Sequence, residues 1–179
     1  MYAIVDIETT GTSYKQGKIT EIAIYVHNGK NVVDKFVTLI NPECHISYFI
    51  TKLTNINDEM VAKAPKFYEV AKQIVTITEN CIFVAHNVNF DYFFIQEEFN
   101  RLGYVFHREK LCTVKMSRKL IPGRRSYSLG NICRDQGIII QDRHRASGDA
   151  LATVKLFERL LYLQHIKRYG TIPFPNNPE

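Results

Sequence analysis

The first forty residues constrain the fold most, because they carry three separate β-strand patterns. Residues 2–7, 19–27 and 31–40 are short runs rich in Ile, Val, Tyr and Thr, which are residue types that favour strands. Asn28-Gly29 lies between the second and third runs and is typical of a type I′ hairpin turn. We therefore predict a three-stranded antiparallel β-meander at the start of the chain.

Beyond Pro42 the pattern changes to helices that alternate with short strands. The predicted helices lie near residues 57–62, 67–77, 88–102, 114–120, 128–136 and 148–169. The continuous apolar run 81–85 predicts a strand covered on both faces, and 111–113 predicts another short strand. For the last helix, Ser147 is the predicted N-cap and Gly170 the stop. This alternation predicts an α/β domain with a mixed sheet.

Residues 1–169 are predicted to form one domain, and residues 170–179 a proline-rich tail or the start of a linker. The chain has 179 residues, which is enough to bury a full core. Three of the six prolines fall within the last seven residues. We infer that this domain belongs to a longer chain.

Composition and the N-terminus favour a cytoplasmic protein without membrane contact. No run approaches the roughly eighteen apolar residues that span a bilayer, and Asp6 interrupts the only apolar run near the N-terminus. The four cysteines form no C-x-x-C pair, which argues against a zinc site or a disulfide framework. Cys81 and Cys112 are predicted to be buried thiols.

Positive charge is concentrated in one part of the chain. Between Arg108 and Arg145 there are ten Lys or Arg against three acids, a local balance of +7 within a net charge of +5. Such a run is either a solvated basic face or a surface for a polyanion such as nucleic acid.

Two acids, Asp6 and Glu8, stand at the end of the first strand pattern. Side chains alternate along a strand, so these two point to the same face and lie about 7 Å apart along it. Either both acids face water where the strand ends, or they share bound cations. Thr9, Thr10 and Gly11 follow them, adding hydroxyl groups and a position where backbone can approach a ligand.

Three further candidates lie where strands or loops lead into helices. Asp91 follows the apolar strand and is either a first-turn acid behind an Asn89 cap or a ligand at the strand end. His144 and Asp149 precede and begin the last helix. They are either a surface histidine and a first-turn acid, or a base beside a metal ligand.

Taken together, these groups resemble a known family, the DEDDh 3′–5′ exonucleases. The similarity is closest to the proofreading epsilon subunit of bacterial DNA polymerase III. It rests on three ordered motifs, supported by Thr20-Glu21-Ile22-Ala23 after the first. The motifs are Val5-Asp6-Ile7-Glu8-Thr9-Thr10-Gly11, His86-Asn87-Val88-Asn89-Phe90-Asp91 and His144-Arg145-Ala146-Ser147-Gly148-Asp149-Ala150-Leu151-Ala152-Thr153.

The resemblance implies a ribonuclease H-like fold, in which the meander and two further strands form a five-stranded mixed sheet flanked by helices. It also implies two divalent cations, Mg²⁺ or Mn²⁺, held by Asp6, Glu8, Asp91 and Asp149, with Asp6 bridging both. His144 would then take the proton from an attacking water. All-oxygen ligation suits such hard cations.

The implied substrate is the 3′ end of single-stranded DNA, released as nucleoside monophosphates. Thr9, Thr10 and Gly11 resemble contacts to the terminal nucleotide, and Phe90 is either a stacking residue or a core residue. Arg124, Arg125, Arg143 and Arg145 are predicted phosphate contacts from position alone. The alternatives are an exoribonuclease that trims RNA, or a module that binds strand ends or a polymerase without cutting. Polymerase subunits or a second domain are possible partners.

Overall fold

A computed structural model describes residues 1–170, and its centre is a five-stranded mixed sheet. The strands are β1 (Tyr2–Thr9), β2 (Ile19–His27), β3 (Val32–Leu39), β4 (Ile82–Ala85) and β5 (Lys110–Cys112). Their order across the sheet is β3-β2-β1-β4-β5. β2 runs antiparallel to both β1 and β3, whereas β4 runs parallel to β1 and β5 parallel to β4. The predicted meander, the two added strands and the ribonuclease H-like fold are thereby confirmed.

Seven helices lie among residues 1–170. They are α1 (Tyr48–Thr54), α2 (Asp58–Val61), α3 (Phe67–Ile77), α4 (Asn89–Arg101), α5 (Thr113–Leu120), α6 (Leu129–Asp135) and α7 (Ala146–Tyr169). Six were predicted from the sequence and α1 was not. The missed helix has seven residues, and its sequence signal was its cap, because Ser47 accepts a hydrogen bond from the Ile50 backbone N–H.

The two faces of the sheet pack against different helices. Odd-numbered β1 residues, Ala3, Val5 and Ile7, face a core that also contains buried side chains from α3 and α4. Ile4 points to the opposite face, where it packs with Val154 and Phe157 of α7. The same alternation carries the side chains of even-numbered β1 residues towards α7.

The β2–β3 hairpin forms as predicted, but its turn is not type I′. A type I′ turn needs positive φ at two successive residues. Here only Gly29 has positive φ, at 97°. Residues 28–31 form the loop, and the Asn28 side chain accepts hydrogen bonds from the backbone N–H groups of Lys30 and Asn31. The side-chain cap therefore replaces the second left-handed residue.

The prediction that Ser147 caps the last helix was wrong. α7 begins at Ala146, and Arg145 occupies the N-cap position without a side-chain cap bond. The Ala146 backbone N–H instead donates to the Glu21 carboxylate on β2, at 2.8 Å. The Glu21 carboxylate, which is remote in the sequence, therefore caps the helix in place of the Ser147 hydroxyl.

The end of α7 agrees with the sequence. Gly170 follows the helix with a left-handed backbone, φ 67°, as a C-terminal stop requires. The remaining predicted tail, 171–179, lies outside the described residues. None of the helices within residues 1–170 combines the length and apolar character needed to cross a membrane. Cys81 is buried as predicted, whereas Cys112 is only half-buried.

Candidate functional site

Three carboxylates from two elements meet at one end of the sheet. Asp6 and Glu8 lie on the face of β1 that is covered by α7, and Asp149 lies in the first turn of α7. One oxygen from each of these side chains lies within 4.8 Å of the other two. The prediction that Asp6 and Glu8 share a face is thus confirmed, and Asp149 joins them through the packing of α7 on the sheet.

Asp91 reaches the same place from α4. Its side chain is buried, at 4% exposure, and the backbone N–H groups of Asp91 and Ile7 partly offset the rise in its pKa. Asn89 is the first residue of the helix, and Val88 occupies the cap position, so the predicted Asn89 cap was wrong. Asp91 is therefore a first-turn acid that also lies near the strand carrying Asp6 and Glu8.

Burial raises the pKa values of the four carboxyl groups, and neighbouring carboxylates raise those of Asp6, Glu8 and Asp91 further. Burial, and then the charges of Asp91 and Asp149, raise the pKa of Asp6 well above its ordinary value. Burial, and then Asp149 and Glu21, raise the pKa of Glu8 to about 8. Burial also raises the pKa of Asp91 to about 8 and that of Asp149 above its ordinary value. The metal-free site is thus electrostatically unfavourable when all four groups are ionised.

No basic side chain relieves this repulsion by direct pairing. Within residues 1–170, none of the four acids has a Lys, Arg or His nitrogen within 4.0 Å of its carboxylate. Clustered, partly buried carboxylates without a counter-ion are typical of a cation site. The group formed by Asp6, Glu8 and Asp149 could hold a metal ion, and all its donors are the oxygens that hard cations prefer.

His144 lies beside the carboxylates in a strained loop. Its backbone N–H donates to Asp149 Oδ2 at 2.9 Å, and its φ of 61° is left-handed, which is uncommon for a residue with a side chain. A cleft of about 230 Å³ lies beside this loop, and Asp6, His144 and Asp149 line it. The five residues predicted for metal binding and catalysis therefore occupy one region of the molecule.

Glu21 and Arg145 form an ion pair at the site, which the sequence had not revealed. Arg145 donates to both Glu21 oxygens, from Nη2 at 2.7 Å and from Nε at 3.0 Å, and Glu21 is only 3% exposed. Glu21 thus engages Nε and Nη2 of the Arg145 guanidinium, and the contact of Arg145 with a phosphate stays a prediction. The sequence signal for this pair was Glu21 itself, the one acid in the strand β2.

The predicted substrate contacts at the end of β1 form a closed turn. Thr9 Oγ1 donates to the Gly11 carbonyl at 2.7 Å, and Thr10 Oγ1 accepts from the Lys18 backbone N–H at 3.0 Å. A β-carbon placed on Gly11 would meet no atom within 4 Å, so this stretch of backbone is open to a ligand. Their contact with substrate stays a prediction.

Phe90 belongs at least partly to the core. It is half-buried, packs against the core beneath the sheet, and its ring centroid lies 5.0 Å from that of Phe94. The core-packing interpretation thus accounts for much of its surface. A stacking role would use the part of the ring that remains exposed.

His86 is a second histidine at the cleft, quoted in the motif but given no role from the sequence. Its Nε2 donates to the Tyr127 carbonyl at 2.8 Å, and its Nδ1 lies 2.9 Å from the Thr113 hydroxyl. Burial lowers its pKa, which favours the neutral ring. His86 therefore links the end of β4 to the segment that leads into α6. Ser128, Leu129 and Gly130, where α6 begins, also line the cleft.

Curated relatives share most of this chain but are much longer. The "DNA polymerase III PolC-type" of Caldanaerobacter subterraneus subsp. tengcongensis is 37% identical over 160 residues, 89% of this chain and 11% of that protein. The "3'-5' exonuclease DinG" of Bacillus subtilis is 33% identical over 176 residues, 97% of this chain and 18% of that protein. The chain therefore spans less than a fifth of the length of these relatives.

Solved structures agree with the fold. A structure of Exonuclease X in complex with 5′ overhanging duplex DNA superposes with a TM-score of 0.72 at 27% identity, covering 96% of this chain and 94% of that one. Escherichia coli Exonuclease I in complex with a dT13 oligonucleotide gives a TM-score of 0.80 at 17% identity, covering 94% of this chain and 42% of that one.

A family model described as "Exonuclease" matches residues 3–157, which include all four clustered acids and His144. Together with the sheet order and the carboxylate cluster, this match shows that the chain belongs to the exonuclease family of nucleases.

Proposed function

We propose that this domain is a metal-dependent 3′–5′ exonuclease that hydrolyses phosphodiester bonds at the 3′ end of single-stranded DNA. The observation that carries the proposal is the convergence of Asp6, Glu8, Asp91 and Asp149 beside His144: Asp91 is buried, the other three are half-buried, and within residues 1–170 none is paired with a basic side chain. The four carboxylates repel one another in the absence of cations. Their clustering is explained if bound cations take part in the reaction.

The proposed cofactors are two divalent cations, Mg²⁺ or Mn²⁺. Asp6, Glu8 and Asp149 would hold one, while Asp6 and Asp91 would hold the other, directly or through water. When bound, such cations would supply positive charge for activating water and for stabilising the leaving 3′ oxygen. Arg145 would keep Glu21 from competing as a ligand.

His144 is the proposed general base. A histidine has an unperturbed pKa of about 6.5, which suits proton transfer near neutral pH. The hydrogen bond from its backbone to Asp149 fixes the loop that presents the ring to the cleft. His144 would accept the proton of the attacking water, while Thr9, Thr10, the Gly11 backbone and Phe90 would position the terminal nucleotide.

DNA is the favoured substrate because of what is known of similar proteins. Relatives are named as a DNA polymerase and as 3′–5′ exonucleases, and Exonuclease X was solved with an overhanging DNA duplex. We propose a role in replication proofreading or in repair, with nucleoside monophosphate as product. The domain boundary at residue 169, a cytoplasmic location and association with a polymerase or a further domain stay predictions.

The test is digestion of matched 5′-labelled single-stranded DNA and RNA with Mn²⁺ or Mg²⁺. We expect a ladder of 3′-shortened DNA that EDTA and Asp6→Ala both abolish, and that Asp34→Ala leaves intact, because Asp34 is an exposed acid on β3 outside the site. Faster shortening of RNA would replace the DNA assignment with an exoribonuclease. A strand that is bound but never shortened would leave only a binding module.

A further inference from the structure

We propose that Arg143 is the phosphate anchor of the site: its guanidinium binds a backbone phosphate of the strand that enters the cleft. This deepens the proposed function and rests on it for the identity of the ligand, a nucleic-acid phosphodiester. Four arginines were predicted from the sequence as phosphate contacts, and their surroundings in the fold differ.

Arg143 differs from the other three arginines in its partners and its place. Arg145 is held by Glu21, and Arg124 lies 3.6 Å from the Asp135 carboxylate. Arg125 is exposed and does not line the cleft. Within residues 1–170, Arg143 has no carboxylate oxygen within 4.0 Å of its guanidinium. Of the four arginines, Arg143 is therefore the one that lines the cleft and whose guanidinium, among the described residues, is not paired with a carboxylate.

Arg143 lies in the same cleft as the proposed catalytic residues. It lines the cavity of about 230 Å³ together with Asp6, His144 and Asp149. A phosphate approaching four carboxylates is repelled by them, so a cation at the entrance offsets that repulsion.

The Arg143 guanidinium lies against Gly130 at the edge of the cleft. A β-carbon placed on Gly130 would lie 3.0 Å from Arg143 Nη2, 3.2 Å from Cζ and 3.5 Å from Nη1. The guanidinium therefore packs against bare backbone at the start of α6, where a side chain would displace it. Its planar fork of donors matches the paired oxygens of a phosphate, which a Lys ammonium does not.

The first experiment compares Arg143→Gln with Arg168→Gln in steady-state digestion of single-stranded DNA with Mn²⁺. Both changes remove an exposed arginine, but Arg168 lies about 29 Å further along α7 than Asp149, at a rise of about 1.5 Å per residue. We expect KM to rise about tenfold for Arg143→Gln with kcat within a factor of about three. The salt dependence of kcat/KM should lose about 0.7 in slope, as for one phosphate contact on a single strand.

Equal KM values for the two variants would overturn the anchor. So would a fall in kcat at unchanged KM, because that pattern indicates contact only in the transition state.

Failure of the nuclease proposal is recognised separately by equilibrium binding. A fluorescent single strand whose last linkages are phosphorothioates resists cutting and reports affinity with Mn²⁺ present. Weaker binding by Arg143→Gln alone supports the anchor even if no variant cuts DNA. Equal binding by both variants, with normal cutting by the wild type, refutes the anchor and leaves the nuclease intact.

Gly130→Ala offers a second, independent variant. Alanine favours a helix over glycine, and the atoms it would displace are the far end of a flexible side chain, so the melting temperature should not fall. We expect KM to rise all the same, because the guanidinium is pushed from its place. A Gly130→Ala variant with wild-type KM would contradict the inferred position of Arg143.

Discussion

Glu21 and Glu8 are directly opposite each other on neighbouring strands, yet their electrostatic situations differ. Glu21 accepts three hydrogen bonds, two from Arg145 and one from the Ala146 backbone N–H. In the part of the chain that the structure describes, Glu8 has no such partner, and its pKa is raised to about 8. The carboxylate of Glu21, which binds the start of α7, is thus paired with a basic side chain. The proposed metal ligands, among the described residues, are not.

Glu21→Gln is expected to destabilise the protein by about 3 kcal/mol, because it leaves a buried arginine contact and the Ala146 N–H poorly paired. Urea denaturation measures the loss. Glu43→Gln removes an acid of the same kind from the exposed pair with Lys66 and should cost much less stability, because solvent screens that pair. Similar losses for the two variants would show that the Glu21 pair has no special structural weight.

At the scale of structural elements, close packing against α7 sets the shape of the loop that precedes it. A β-carbon on Gly148 would lie 1.9 Å from the Gln141 carbonyl oxygen and 2.6 Å from that of Asp142. The loop that ends in His144 therefore lies directly on the backbone of the first turn of α7. Two residues of this loop, Asp142 and His144, have positive φ, which this packing maintains.

Gly148→Ala should destabilise the protein by about 1–3 kcal/mol, although alanine is the better helix former, because the clash is with backbone. It should also lower kcat more than it raises KM, since the displaced loop carries His144. Thermal melting and steady-state kinetics measure the two effects.

Ser147→Ala is the control for Gly148→Ala, since it changes the neighbouring residue. Because Ser147 does not cap the helix, it should have little effect on stability, whereas loss of an N-cap costs about 1 kcal/mol. A stable, fully active Gly148→Ala variant would show that the loop moves aside at no cost.

For the molecule as a whole, the carboxylate cluster weakens the metal-free fold as pH rises. Glu8 and Asp91 have pKa values of about 8 in the folded protein, whereas free carboxyl groups titrate near 4. Between these values the folded state binds more protons than the unfolded state, so stability falls with increasing pH. The contribution of these groups is complete below about pH 4 and is lost as pH rises through about 8.

We therefore expect the melting temperature in EDTA to fall between pH 5.5 and pH 8.5, and added Mn²⁺ to raise it more at the higher pH. Cations bind the ionised carboxylates, so they offset the repulsion where it is greatest. Asp6→Asn should flatten the pH dependence in EDTA, because it removes one of the repelling charges. The same slope in that variant, together with no Mn²⁺ effect at pH 8.5, would contradict the cluster as described.

Local sequence determined most of the elements and the identity of the candidate ligands. Alternation along β1 placed Asp6 and Glu8 on one face, and left-handed Gly170 ended α7, because these features depend on a few neighbouring residues. The ambiguity of Asp91 and Asp149, first-turn acids or ligands, could not be resolved locally. Both descriptions proved true at once, since a first-turn acid can also point at a neighbouring strand.

Only the tertiary structure decided which charges are paired. Arg145 was indistinguishable by position from Arg143 until β2 brought Glu21 against it, and the cap of α7 came from the same carboxylate 125 positions away in sequence. Neither the contact of Arg143 with Gly130 nor that of Gly148 with the His144 loop has a sequence signal. Pairing and close approach depend on distances between remote segments, and these distances exist only once the sheet has assembled.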